Sequence, residues 1–270
     1  MDRIAATVES ITGRQLDQRL EAAGRFDAEF NQLIGVFNEM IDRVERSFHQ
    51  SACFSADASH ELKTPITNLL AEVTTRLNRC EPGSEEQRFL AGMVHELDRI
   101  RAVLGGLLLL SKADSGLLDL SREDVDFAKF VYGVCEDYGV MAEEAGLRFD
   151  VQIDLESRPQ VSADPVMLTQ ALHNLLRNAI EYNSTGGFVR VSANTNNGRV
   201  EVRIANFGPG IEESLQAELF GRFRRGDNGG HGLGLNIGRE IVEAHGGRVC
   251  LEASSDRETC FAMTIPVVGN

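Results

Sequence analysis

The sequence predicts a multidomain chain with two folds in series. The first is an all-α helical hairpin, paired with a second copy as a dimeric four-helix bundle, and the second is an α+β two-layer sandwich. Three observations carry this expectation. Apolar residues keep a helical seam spacing from Leu62 to Leu107, with one short break at Glu81-Pro82-Gly83-Ser84. Strand-like runs begin only after Arg148, and from there they outnumber the helical ones without strict β-α-β alternation. The 270 residues also exceed the roughly 100–200 that one core usually takes.

Taken in order, Ile4, Val8 and Ile11 have helical spacing, Gly13 to Asp27 is polar and irregular, and Phe30, Leu33, Ile34, Phe37 and Ile41 resume the helical pattern. Leu62, Ile66, Leu69, Val73 and Leu77 then step by fours and threes, as do Phe89, Met93, Leu97, Ile100, Leu104 and Leu107. The break between them supplies a helix stop and, in Ser84, an N-cap, so the two helices run antiparallel. One hairpin buries one stripe. The further apolar surface at Leu107 to Leu110 predicts a two-fold partner. Gly116 marks a boundary. Beyond it, helices are expected at Phe127–Glu144, Pro165–Glu181 and Leu235–His245. Strands are expected at Phe149–Ile153, Val189–Ala193, Val200–Ile204, Val249–Leu251 and Phe261–Ile265. The implied division is 1–48, 49–115, a linker at 116–122, and 123–270.

Composition narrows the function. Twenty-seven basic against 41 acidic side chains give a net charge of −14, which argues against a nucleic-acid binder. The 42% hydrophobic content excludes wholesale disorder. Five cysteines, an odd number without a C-x-x-C pair, predict reduced thiols rather than disulfides or a zinc site. The longest apolar run, Ala102 to Leu110, is interrupted by Gly105 and Gly106 and falls short of the roughly 20 residues of a membrane helix. The start carries no signal-peptide pattern, so the chain as given is expected to be soluble.

Five constellations carry chemistry. In Phe54-Ser-Ala-Asp-Ala-Ser-His60-Glu-Leu-Lys-Thr-Pro65, His60 points away from the seam residue Leu62, and Pro65 withholds a donor from the Glu61 carbonyl and bends the helix. A wet imidazole beside a carboxylate is either a nucleophile with its base or a plain surface side chain. In Gln170-Ala-Leu-His-Asn174-Leu-Leu-Arg-Asn178-Ala-Ile-Glu-Tyr182, two asparagines share a helix face. Their amide oxygens are hard neutral ligands suited to Mg²⁺, or else solvated side chains. Asn206-Phe-Gly208-Pro-Gly210 follows a strand and is a turn or a close-approach loop. Gly230-His-Gly232-Leu233-Gly234-Leu leads into a helix whose first amides can take phosphate, although no G-K-[ST] follows. Between the glycine segments, Leu219-Phe220-Gly-Arg-Phe-Arg-Arg225 offers aromatic and basic anchors, with Arg225 placed to neutralise phosphoryl charge. The remaining histidines lack metal-ligand spacing and have surface, packing or helix-end roles, His245 before Gly246 as a helix end.

In chain order the strings resemble the H, N, G1, F and G2 boxes of sensor histidine kinases, whose ATP-binding fold is shared with gyrase. The resemblance implies autophosphorylation of His60 from ATP, with Glu61 as general base, and transfer to an aspartate on a response-regulator receiver domain. Thr64 matches the position that orients water when the phospho-aspartate is hydrolysed. It further implies Mg²⁺ on Asn178, phosphate or hydration contacts for Asn174, and adenine packing for Tyr182. The glycine and aromatic boxes, Asn206, Gly208, Gly210, Phe220, Arg225, Gly230, Gly232, Leu233 and Gly234, form the rest of the nucleotide site. Ile11 to Arg25 and Asp27 to Met40 resemble the connector and second helix of a HAMP module, which implies a homodimer at the cytoplasmic face of the inner membrane, in a longer membrane-anchored receptor.

The sequence departs from that pattern in places. Asn206 stands where the family usually has Asp, and an amide free to flip predicts poorer rejection of guanine. Glu181 replaces a usual basic residue and weakens ATP binding unless Mg²⁺ or Arg177 compensates. The stretch from Arg225 to Gly230 is short and lacks Lys. These features leave as rivals a catalytically weak or phosphatase-biased scaffold and, without any role for His60, a clamp-type ATPase.

Overall fold

The computed structural model describes residues 35, 38–40, 42, 61–155, 158–221 and 232–268. Most of the expected HAMP-like segment lies outside these, as do His60, Arg225 and Gly230. The chain divides into two compact units, Met1–Leu118 and Asp119–Asn270.

In the first unit, residues 61–77 form helix α1, which runs through Pro65, and Glu85–Asp114 form α2. Their connection is built as the sequence predicts. The Ser84 hydroxyl accepts from the Gln87 amide at 3.1 Å, and the Gln87 side chain accepts from the Gly83 amide at 2.6 Å. Donors at the start of α2 are thereby satisfied in both directions. Gly83 has φ +80°, a backbone conformation that side-chain-bearing residues resist.

The expected single seam resolves into two faces. Val73 and Leu90 are buried, flanked by half-buried Ile66, Leu70, Leu77, Val94 and Leu97. Leu62, Leu69, Phe89, Met93 and Ile100 point outward, Phe89 with 67% of its surface exposed. The sequence reading merged these stripes because a 3.6-residue period cannot separate adjacent faces of a largely apolar helix. It also assigned Leu107 to Leu110 to a partner, whereas Leu109 and Leu110 are already buried within one chain.

The second unit begins with β1 (Glu123–Asp126) and α3 (Phe127–Glu144), followed by β2 (Arg148–Ile153) and β3 (Gln160–Ala163). Next come α4 (Pro165–Glu181), β4 (Phe188–Asn196) and β5 (Arg199–Asn206). The short helix α5 (Glu213–Gln216), then α6 (Gly234–Ala244), β6 (Arg248–Ser254) and β7 (Thr259–Pro266) complete it. The main sheet runs β2-β4-β5-β7-β6, parallel only between β2 and β4. Helix α3 packs on β2, α4 on α6 and β5, and α6 on β6 and β7. This is the expected α+β sandwich, with Leu168, Leu172, Leu175, Val202, Ile204, Ile241, Phe261 and Met263 at its centre.

Helices α2, α3 and α6 end alike. After each, a glycine (Gly116, Gly146 or Gly246) takes φ near +70°, and the following amide returns to a carbonyl of the last turn. β1 and β3, which pair antiparallel, were not legible in the sequence. At four residues each, and with three of the four β1 residues acidic, neither carries a strand signal.

Candidate functional site

Helix α4 organises the site. Asp164 caps it, its carboxylate accepting from the Met167 amide at 3.0 Å, and Pro165 fills the first position. Leu168, Leu172, Leu175, Leu176 and Ala179 turn into the core. Asn174 is left on the flank that meets α6, and Asn178 follows it one turn later along the helix.

Two glycines let α6 approach that flank. A Cβ on Gly234 would lie 3.5 Å from the Asn174 amide oxygen and 3.6 Å from the Arg177 guanidinium, and one on Gly238 would lie 3.6 Å from the Ala171 carbonyl. The Asn174 Nδ2 is buried without a hydrogen-bond partner among the described residues. A buried orphan donor is unfavourable by about 1–3 kcal/mol, so this atom is open to an acceptor that the described residues do not supply. Asn178 is half-buried, and its side chain makes no hydrogen bond among the described residues. Glu181 pairs with Arg177 at 3.6 Å, so Arg177 is placed to offset the acidic charge at this position. Leu233 and Gly234 open α6, with Leu233 buried and no side chain capping the first-turn amides. Gly232 precedes them with φ +65°.

The far end of α4 meets the end of β5. Tyr182 is the C-cap of α4, and its carbonyl accepts from the Asn206 Nδ2 at 3.2 Å. Asn206 is only 3% exposed. A Cβ on Gly208 would collide with that same carbonyl oxygen, and one on Gly210 would lie 2.8 Å from the Ser255 carbonyl. The Ser184 amide donates to the Phe207 carbonyl at 2.7 Å, which ties the turn to the helix end. This geometry corrects the expectation that the Asn206 amide flips freely. Reversal would set its oxygen against the Tyr182 carbonyl oxygen.

Phe220 is held by the core. Its ring meets Phe261 edge-on at 6.3 Å, the Arg239 guanidinium lies 5.6 Å from its centroid, and its carbonyl accepts from the Asn236 Nδ2 at 2.6 Å. Asn236 and Arg239 were missed by sequence reasoning. A buried polar residue two positions into an otherwise apolar helix start was the available signal. Phe220 also lines a cleft of about 480 Å³ together with Gln216, Arg239, Glu243, Arg248 and Leu251, among others, and with none of the asparagines above. In the first unit, Glu61 and Thr64 are exposed on α1, three residues apart and thus on neighbouring positions of one face.

His245 proves more than a helix end. It is 1% exposed, its Nε2 accepts from the Asp164 amide at 3.0 Å, and its Nδ1 lies 2.7 Å from the Ile241 carbonyl. Only a neutral ring with its proton on Nδ1 satisfies both contacts. The Asp164 carboxylate also accepts from the Ser121 amide at 3.0 Å, while Arg122 donates to the Ser162 and Ala244 carbonyls at 3.0 and 2.7 Å. Burial pushes the His245 pKa below its ordinary value of 6.5, the Ile241 carbonyl opposes this, and the Arg122 charge adds to the depression. The unfolded chain therefore binds the proton more readily than the native one. Stability should be level at high pH and fall as pH drops below about 6.5 towards the depressed value. Burial lowers His173 as well, with the same sign. The check is urea unfolding of wild type and His245→Asn between pH 8 and 5. The variant should be weaker at pH 8 and show a shallower acid slope, and an equal slope would remove His245 as a cause.

Comparison with known proteins gives these positions a family. Residues 52–116 match the model of the "His Kinase A (phospho-acceptor) domain", and residues 163–269 match that of the "Histidine kinase-, DNA gyrase B-, and HSP90-like ATPase". The chain is 35% identical to sensor histidine kinase CusS of Escherichia coli K12, over 97% of this chain and 55% of that protein. It is 30% identical to sensor protein CutS of Streptomyces coelicolor, over 99% of this chain and 65% of that one. Among solved structures, full-length ShkA in complex with AMPPNP superposes with a TM-score of 0.67 at 26% identity, covering 79% of this chain and 45% of that one. The chain belongs to the sensor histidine kinases, and it carries their phospho-acceptor and ATPase domains. It spans about half the length of the curated relatives it matches first.

Proposed function

We propose that this chain binds Mg-ATP in its second unit, transfers the γ-phosphoryl group to His60, and passes it to an aspartate of a response-regulator receiver domain. One observation carries the reading furthest. Helix α4 touches both glycine segments: Tyr182 meets Asn206 and Gly208, and Asn174 meets Gly234, so three separated motifs converge on one helix. The orphaned Asn174 Nδ2 fits a phosphate oxygen or a bound water, and the uncapped α6 amides fit the phosphate chain. Asn178 is the Mg²⁺ ligand, and the ion, when bound, neutralises phosphoryl charge. Asn206, Gly208 and Gly210 take the base with Tyr182 beside it. Gly230, Gly232, Leu233 and Gly234 flank the phosphates, and Phe220 anchors the segment carrying Arg225. That ShkA was solved with AMPPNP supports a nucleotide in this fold.

In the first step an unprotonated imidazole nitrogen of His60 attacks the γ-phosphorus. The nitrogen–phosphorus bond forms as the bond to the bridging oxygen breaks, ADP departs with that electron pair, and Glu61 takes the imidazole proton. Arg225 balances charge on the transferring group. In the second step the phosphoryl group moves from nitrogen to a carboxylate oxygen of the regulator, and Thr64 orients water when that product is hydrolysed. The outward stripe of Leu62, Leu69, Phe89, Met93 and Ile100 supports a homodimer, because a four-helix bundle would cover it. Anchorage at the cytoplasmic face of the inner membrane rests on the HAMP-like segment. No helix among the described residues is long and apolar enough to cross a membrane.

The test is incubation with γ-labelled Mg-ATP. Wild type should acquire acid-labile, base-stable phosphate, and His60→Gln should acquire at least about 1,000-fold less, since removing a nucleophile removes the whole step. ATP hydrolysis unaffected by His60→Gln would instead indicate a clamp-type ATPase.

A further inference from the structure

Within the ATP-binding reading, on which this inference rests, the glycine contact between α4 and α6 needs a fastening elsewhere. Gly234 and Gly238 let α6 lie close to α4, but they offer no side chain to lodge between neighbours. Interdigitated side chains resist the sliding of one helix along another, and a glycine face resists it less. The axial position of α6 on α4 therefore falls to directional contacts.

Those contacts sit at the far end of α6. The last carbonyls of a helix have no partner inside it, and Arg122, just ahead of β1, reaches one of them. Its Nη2 donates to the Ala244 carbonyl at 2.7 Å, while its Nη1 donates to the Ser162 carbonyl at 3.0 Å. Ser162 stands two residues before Asp164, the cap of α4. One guanidinium thus spans the end of α6 and the approach to α4. Its planar fork holds both carbonyls at a set spacing, and its charge suits the negative end of a helix dipole. His245 makes a second tie between the same two places, its Nε2 accepting from the Asp164 amide at 3.0 Å. A third cation, Arg199, donates to the Gly246 carbonyl at 3.2 Å, but it ties that turn to β5 and not to α4.

We propose that Arg122 is a positioning residue for the phosphate chain of the nucleotide. By tying the end of α6 to the start of α4, it sets the level at which the first-turn amides of α6 come to rest beside Asn174. An α-helix of eleven residues moves as a rod, so a shift at Ala244 reappears at Gly234, about 15 Å away. Arg122 is a helix length from those amides and acts on them only through α6. Tyr182, Asn206 and Gly208, at the opposite end of α4, do not depend on this tie.

Calorimetric titration of wild type, Arg122→Met and Arg199→Met with ATP, ADP and adenosine tests this. Methionine keeps an unbranched stem and removes every donor. Arg122 is exposed and fills no core position, so the variant keeps its fold, which adenosine binding reports. Arg122→Met should bind ATP and ADP about 10-fold more weakly, with adenosine within about 2-fold of wild type, because only phosphates meet the α6 amides. Arg199→Met should bind all three as wild type does. An adenosine loss equal to the ATP loss would make Arg122 a plain stabiliser and overturn the proposal. Unchanged ATP affinity in Arg122→Met, or an equal ATP loss in Arg199→Met, would overturn it too. A wild type that binds no ATP would overturn the nucleotide reading together with this inference, whereas ATP binding without the phosphate-dependent loss sinks this inference alone.

Discussion

Asn178→Ala should reduce labelling of His60 by about 100-fold or more, while thermal unfolding of the protein stays where it was. The two halves of this expectation have separate causes. The Asn178 side chain makes no hydrogen bond among the described residues, and the packing beside it is carried by Leu175, Leu176 and Ala179. Truncation therefore leaves no buried partner unsatisfied and opens no core cavity, and substitutions of that kind usually fall within about 0.5 kcal/mol. Its oxygen is a hard ligand on a rigid helix, however, and alanine offers a metal ion no oxygen at that place. Labelling and calorimetry on one preparation settle the matter. A large loss of stability, or labelling within a few-fold of wild type, would remove Asn178 from the metal-binding role.

Gly208→Ala should have the largest combined effect, weakening ATP binding by at least about 30-fold and destabilising the second unit by about 1–3 kcal/mol. The added methyl would be driven into the Tyr182 carbonyl oxygen and would come within 3.0 Å of the Asn206 Nδ2. Both neighbours are stiff, one being the backbone of a helix end and the other a buried amide. Relief must come from separating α4 from the 206–208 turn, which breaks the Asn206–Tyr182 bond and moves the wall proposed to face the base away from Asn178. By contrast, a methyl on Gly92 or Gly133 meets nothing within 4 Å, so alanine there serves as the control. If Gly208→Ala binds ATP like those controls, the close approach has no bearing on the site.

Much of this molecule was legible in advance. Strong periodicity over long segments placed α3 and α4 at their observed bounds, and it found the five strands of the main sheet to within a few residues. The Pro82-Gly83-Ser84 turn was equally plain, since capping is a local interaction whose partners lie within four residues. The motif strings are visible in the sequence too, because the chemistry of phosphate and metal binding demands particular side chains at short spacings.

What the sequence by itself determined, then, is whatever depends on neighbours along the chain: helix lengths, caps and turn glycines. The tertiary structure alone decided which of two adjacent apolar stripes in the hairpin is covered within one chain. It also decided that short, acidic β1 finds a partner in β3 nearly forty residues away. It made His245 a buried neutral link between the Asp164 cap and the end of α6, where local pattern had offered only a helix terminus. It likewise turned Asn206 from a free amide into an oriented one by setting the Tyr182 carbonyl against it. The physical reason is common to all four. Burial, tautomer and amide orientation are set by atoms distant in sequence, and a one-dimensional pattern carries no information about which distant carbonyl or helix face will arrive beside a given side chain.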